Sequence, residues 1–150
     1  MRLFVAIAAA AALSGCATAP LVHEVEKTRT IPASKDVVWE RAVGFFATNN
    51  LSIETIEKDS GIIAAERTVN RPAAGTYMGG WADCGASFLE IPVAQLVDLN
   101  VFVRPVGEAT SATVNARFTE VRQMGSSPTT TATCNSTGAL ERMILDALSN

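Results

Sequence analysis

Four side chains in this 150-residue sequence have the chemistry of nucleophiles or soft metal ligands: Cys16, Cys84, Cys134 and the single histidine, His23. A structural zinc site takes four such ligands at short, paired spacings. Two thiols 50 residues apart, with the histidine near the N-terminus, do not supply them. Nor is there a Cys-x-x-Cys pair to act as a dithiol redox centre. The sequence also holds no G-x-S-x-G elbow to expose a nucleophilic serine and no glycine pattern to cradle a phosphate. Glu54, Glu57, Asp59 and Glu66 gather around one turn. They are the only candidates for paired acid–base carboxylates, yet acids flanking a turn are ordinarily a solvated surface. We therefore expect no catalytic residue, no metal and no cofactor.

Cys16 stands apart from the other two cysteines because of what precedes it. Met1-Arg2 is a minimal positive segment, Leu3 to Ala12 is an unbroken apolar run, and Ser14-Gly15 are the small residues that a processing enzyme needs beside its cut. The run is too short to cross a bilayer, which takes about 20 apolar residues. Leu13-Ser14-Gly15-Cys16 resembles the lipobox of bacterial lipoproteins. The resemblance implies that the thiol is alkylated by a diacylglyceryl group, that the chain is cut before Cys16, and that the new amino group is acylated. Residues 1–15 are then the signal peptide, 16–21 the lipidated cysteine and a short tether, and 22–150 a single domain. An ordinary secretory signal with a chance cysteine is the alternative reading of the same segment. Ala17, rather than an aspartate after the cysteine, resembles the pattern that sorts lipoproteins to the outer membrane. The expected location is that membrane of a Gram-negative envelope, facing the periplasm.

Export under this reading places Cys84 and Cys134 in an oxidising compartment, with Cys16 committed to lipid. A disulfide between them is the default. In the chain-entropy model, closing about 50 residues stabilises the fold by roughly 4 kcal/mol. Loss of Arg2 with the signal leaves 11 basic against 15 acidic side chains, a formal charge of −4. Without a lysine or arginine run, this weak acidity argues against nucleic acid and against electrostatic attachment to anionic lipid. Membrane contact is left to the acyl chains, several of which hold stably where one does not.

The tether, at about 3.5 Å per residue, keeps the domain within roughly 20 Å of the membrane. Val22 to Ile31 reads as a weak edge strand. Pro32-Ala33-Ser34 opens a helix, with Ser34 as its cap and Asp36 in its first turn. Val38, Trp39, Ala42, Val43, Phe45 and Phe46 give that helix one broad apolar side, and Asn49-Asn50 ends it. Leu51 to Glu57 and Ile62 to Arg67 form a hairpin across Lys58-Asp59-Ser60-Gly61.

Residues 70–85 read as a long Gly-rich loop carrying Tyr77 and Trp81. Loops of this length are commonly functional or mobile. One reading is a flap held at its far end by Cys84; the other is a partner contact, for which the two aromatics are the candidate binding residues. A strand at Ser87 to Ile91 follows. Apolar residues alternate at Val97, Leu99, Val101 and Val103, and again at Ala112, Val114, Ala116 and Phe118, which predicts two half-buried strands paired across Pro105 to Ala109. Gly125 to Asn135 reads as a polar connection. A last helix, capped by Ser136 or Thr137, buries Leu140, Met143, Ile144, Ala147 and Leu148, with Arg142 and Asp146 as an exposed pair. The fold expected is α+β: an antiparallel sheet of five to six strands packed on two helices.

This order of elements resembles the helix-grip domains of BamC-type lipoproteins of outer-membrane assembly. The segments that carry the resemblance are Val38-Trp39-Glu40, Asn49-Asn50-Leu51-Ser52-Ile53, Asp59-Ser60-Gly61-Ile62-Ile63 and Cys134-Asn135-Ser136-Thr137-Gly138-Ala139-Leu140-Glu141. They are turns, caps and core positions, so no binding residue is carried over. The expectation is a non-enzymatic envelope lipoprotein, a scaffold or accessory subunit that meets protein partners near the membrane. The alternative is a carrier of a hydrophobic ligand, held in a cavity that a sheet curled round a helix can leave.

Overall fold

A computed structural model describes residues 17–72, 78 and 80–150. The proposed signal peptide 1–15, Cys16 and Tyr77 lie outside the described residues. In chain order the elements are β1 (Ala17–Thr18), β2 (Thr28–Ile31), α1 (Lys35–Thr48), β3 (Ser52–Glu57), β4 (Ile62–Asn70), β5 (Ala82–Asp83), β6 (Ala86–Ser87), β7 (Ile91–Val106), β8 (Ala109–Gln123), β9 (Thr130–Ser136) and α2 (Ala139–Ser149). The fold is α+β, with a large antiparallel sheet and two helices.

The sheet is built on the β7–β8 hairpin, whose alternating apolar residues predict its register. Val97 pairs with Phe118, Leu99 with Ala116, Val101 with Val114 and Val103 with Ala112. All but the half-buried Ala116 are buried, on the face that the helices cover. The turn is tighter than Pro105 to Ala109: Val106 pairs with Ala109, and Gly107 takes φ +61° between them. A two-residue hairpin turn of the II′ kind asks for such a φ at its first residue. The β3–β4 hairpin also forms as expected, with Glu57 opposite Ile62. Its turn requires Gly61, at φ +76°, because a Cβ there would collide with the Val103 carbonyl oxygen.

Among the described residues the strands outnumber the expectation: seven in the main sheet, in the order β3-β4-β7-β8-β9-β5 with β2 also on β8, and a separate β1–β6 pair. The difference lies in polar segments. Thr130–Ser136, read as a connection, pairs along Phe118–Arg122 as β9, because threonine suits a pleated surface without marking it as apolar. Ala82–Asp83 then pairs with Asn135–Ser136 as β5. Ser87 to Ile91 is not the expected strand; it divides into β6, a bend at Phe88-Leu89 and the start of β7.

The core lies between one sheet face and the helices. Val38, Trp39, Ala42 and Phe46 of α1 meet Leu140, Ile144, Leu145 and Leu148 of α2 over Val97 to Val103, Ala112 and Val114. Ser34 occupies the N-cap position of α1, but its side chain makes no capping bond. At α2 the cap is Gly138, at φ +80°, rather than Ser136 or Thr137. Ser136 Oγ instead accepts from the Gly138 N–H at 2.9 Å and donates to Glu141 Oε2 at 2.8 Å, which places the Glu141 carboxylate inside the core. Met143 is exposed and Leu145 buried, a rotation of the expected stripe. Asp146 does not pair with Arg142; it holds Arg29 of β2 at 2.7 Å, with Glu26 on the same guanidinium at 2.7 Å. Their hydrogen bonds raise the Arg29 pKa and lower that of Glu26.

Candidate functional site

Of the sequence's candidates, Cys84, Cys134 and Trp81 are described, and they lie at one corner, where the N-terminal segment, the end of the 70–85 loop and β9 meet. The Cys84 and Cys134 sulfurs are bonded, with their Cα atoms 4.2 Å apart. Both residues are buried. β5 lies immediately before Cys84 and β9 carries Cys134, so the bridge fastens the loop's exit to the sheet edge.

Residues 17–21, expected to be a free tether, are part of the fold. Ala17 pairs with Ser87 and Thr18 with Ala86. Asp83 Oδ1 accepts from the Gly85 N–H at 2.7 Å, and Oδ2 from the Leu21 N–H at 3.1 Å. These two bonds, with a smaller contribution from nearby His23, hold the Asp83 carboxyl below its ordinary range. Thr18 Oγ1 accepts from the Ala86 N–H at 3.0 Å. Asn135 Nδ2 donates to the carbonyls of Pro20 and Leu21 at 3.3 and 3.1 Å. Gly85 turns at φ +67° with its Cα hydrogens against the tether, where a Cβ would strike the Thr18 carbonyl oxygen. The tether is a clamp, and its first described residue directly follows Cys16.

Behind the clamp runs a buried polar chain that the sequence reading missed. The Met78 N–H reaches Gln95 Oε1 at 3.4 Å, Gln95 Nε2 donates to Glu120 Oε2 at 2.8 Å, and Arg122 Nε donates to Glu120 Oε1 at 2.7 Å. Arg122 Nη2 closes the chain on the Cys84 and Gly85 carbonyls. A buried ion pair is tolerable only when its remaining donors and acceptors are satisfied, and here they are used to fix the loop's backbone. A signal was present: Gln95 has the parity of Val97, and Glu120 and Arg122 that of Phe118, so polar groups stood on the apolar side of both strands.

Trp81, a candidate partner contact in the sequence, is not fully exposed. Its ring is half-buried against the core, 5.8 Å from the Arg67 guanidinium. Its carbonyl accepts from the Thr137 N–H at 3.0 Å, and the Gly80 carbonyl from the Thr137 hydroxyl at 2.7 Å. Tyr77 has no described position to set beside it. Glu54, Glu57, Asp59 and Glu66 are all exposed on the β3–β4 edge hairpin and His23 is exposed on the clamp, so the structure does not assemble them into a site. Among the described residues there is no group of three His, Cys, Asp or Glu that would hold a metal ion. None of their helices is long and apolar enough to cross a membrane.

No protein-family model matches the chain, and no curated protein matches it.

Proposed function

We propose that this chain is an envelope lipoprotein, anchored through lipid on Cys16 to the outer membrane and facing the periplasm, whose helix-grip-like domain performs no catalysis and presents a surface to a protein partner. The observation that carries the reading is the β1–β6 pairing. Ala17, the first described residue, is already paired with Ser87, so a lipid on the preceding residue would hold the disulfide corner close to the bilayer. We assign the partner contact to the loop that carries Tyr77 and Trp81, of which Trp81 is only half-buried.

A ligand carrier would need a hollow between the helices and the sheet. That space is occupied by one contiguous cluster that includes Val38, Phe46, Leu140 and Leu148, which favours the presenting role. A depression of about 360 Å³ lies on the outer side of α2 among Ala139, Arg142, Met143 and Asp146. Its open, charged rim does not suit an apolar ligand. Cys16→Ser is the test. The hydroxyl cannot replace the thiol in lipid transfer, so the variant is expected in the soluble fraction after an alkaline wash, with native protein in the membrane pellet. A variant that stays in the pellet overturns the reading.

A further inference from the structure

We infer that the bend between β6 and β7, Phe88-Leu89 with Ile91, inserts into the membrane surface that holds the Cys16 lipid; the inference rests on the lipoprotein reading above. These three side chains are 82%, 63% and 64% exposed, within four consecutive residues. Single apolar residues on a surface need no explanation, whereas a cluster marks a contact. The cluster's place in the fold selects the contact. Antiparallel partners lie about 4.5–5.5 Å apart at Cα, and Ala17 is the partner of Ser87. One more peptide link spans about 3.8 Å, so the lipid's attachment point lies within about 10 Å of Ser87, the residue before Phe88. An anchored domain can turn about this point but cannot lift it from the bilayer, so the bend meets lipid before it meets any other molecule.

The local chemistry suits an uncharged interface. Residues 83–91 include no lysine or arginine. The two acids there are already engaged: Asp83 with the Gly85 and Leu21 amides, and Glu90 Oε1 with the Thr130 hydroxyl at 2.9 Å. Attachment by such a bend comes from apolar area and from an aromatic ring at headgroup depth, not from anionic lipid. Phe88 and Leu89 lie in a bend outside any ladder, so insertion costs the sheet no pairing.

The test uses the mature protein purified from the membrane fraction, reconstituted into phosphatidylcholine vesicles with and without brominated acyl chains. Phe88→Trp adds a reporter at a position too exposed to disturb the core, and the native protein supplies the baseline from Trp39 and Trp81. The expected result is a blue-shifted added emission that brominated lipid quenches beyond the baseline. Added emission that is water-like and unquenched overturns the proposal. Emission that is blue-shifted but unquenched also overturns it, because a second copy or another protein then covers the bend. The mass of the N-terminal peptide separates the two readings. Acyl chains on Cys16 without quenching defeat the insertion alone, whereas their absence defeats the lipoprotein reading and the insertion with it.

Discussion

Asp83 commits both carboxylate oxygens to backbone amides, one two residues ahead and one 62 residues back. The first is the local turn that an Asp-x-Gly triplet allows; the second is invisible in a linear reading, because nothing in Leu21 announces a partner so distant. A carboxyl whose folded pKa is depressed stabilises the fold at pH values above its unfolded pKa, about 3.9. That contribution is lost as pH falls through the folded value. The clamp therefore loosens in acid below about pH 4, ahead of a core held by apolar burial. Amide exchange at Leu21 and Gly85 reads this directly: protection is expected to fall in that window while Val101 and Val114 stay protected. Asp83→Asn, which has one acceptor oxygen in place of two and no charge to titrate, is expected to lower Leu21 protection at neutral pH and abolish the acid dependence. Unchanged Leu21 exchange in the variant would mean that the β1–β6 pairing and the Asn135 bonds hold the tether without Asp83.

At the scale of elements, legibility follows the amphipathic signal. The β7–β8 register and α1 were readable because apolar residues recur at the period of a strand and of a helix. β9 and β5 were not, since a Thr-rich strand on a sheet edge has the composition of a loop and is defined only by its partner. In the 70–85 segment the restraint at Cys84 was legible from the disulfide expectation, whereas its β5 pairing and its bonds to Arg122 were not, because both depend on distant partners. Trp81 consequently supports stability as well as surface. Full truncation of a buried aromatic costs about 3–5 kcal/mol, and a half-buried ring on the core edge forfeits part of that along with its cation–π contact to Arg67, worth about 0.5–2 kcal/mol. Trp81→Ala is expected to destabilise by about 2 kcal/mol in denaturant unfolding. A loss under about 0.5 kcal/mol, the range of plain surface positions, would return the ring to a purely external role.

At the scale of the whole molecule the fold has two differently secured parts. The helices and the β7–β8 hairpin share an apolar core, with Phe46, Val97, Val101, Ile144 and Leu148 fully buried. The corner formed by β1, β5, β6 and the end of β9 buries little apart from Ala82 and the two cysteines, and depends on the Cys84–Cys134 bond and the polar chain behind it. Cysteine count, with the export that the lipobox resemblance implies, made the bond legible; its place beside the N-terminal clamp was not. Replacing both cysteines by alanine frees a loop of about 50 residues in the unfolded chain, a loss of roughly 4 kcal/mol in the entropy model. Domains of this size have about 5–15 kcal/mol in all, so the variant is expected to remain folded with a lower thermal midpoint. The loss should also be uneven. Amide protection is expected to collapse at Leu21, Gly85 and Ala86 while persisting along Val97–Val103, because the bridge holds the corner and apolar burial holds the sheet. Uniform loss across both regions would show a single cooperative unit in which the corner is as essential to the core as the core is to the corner.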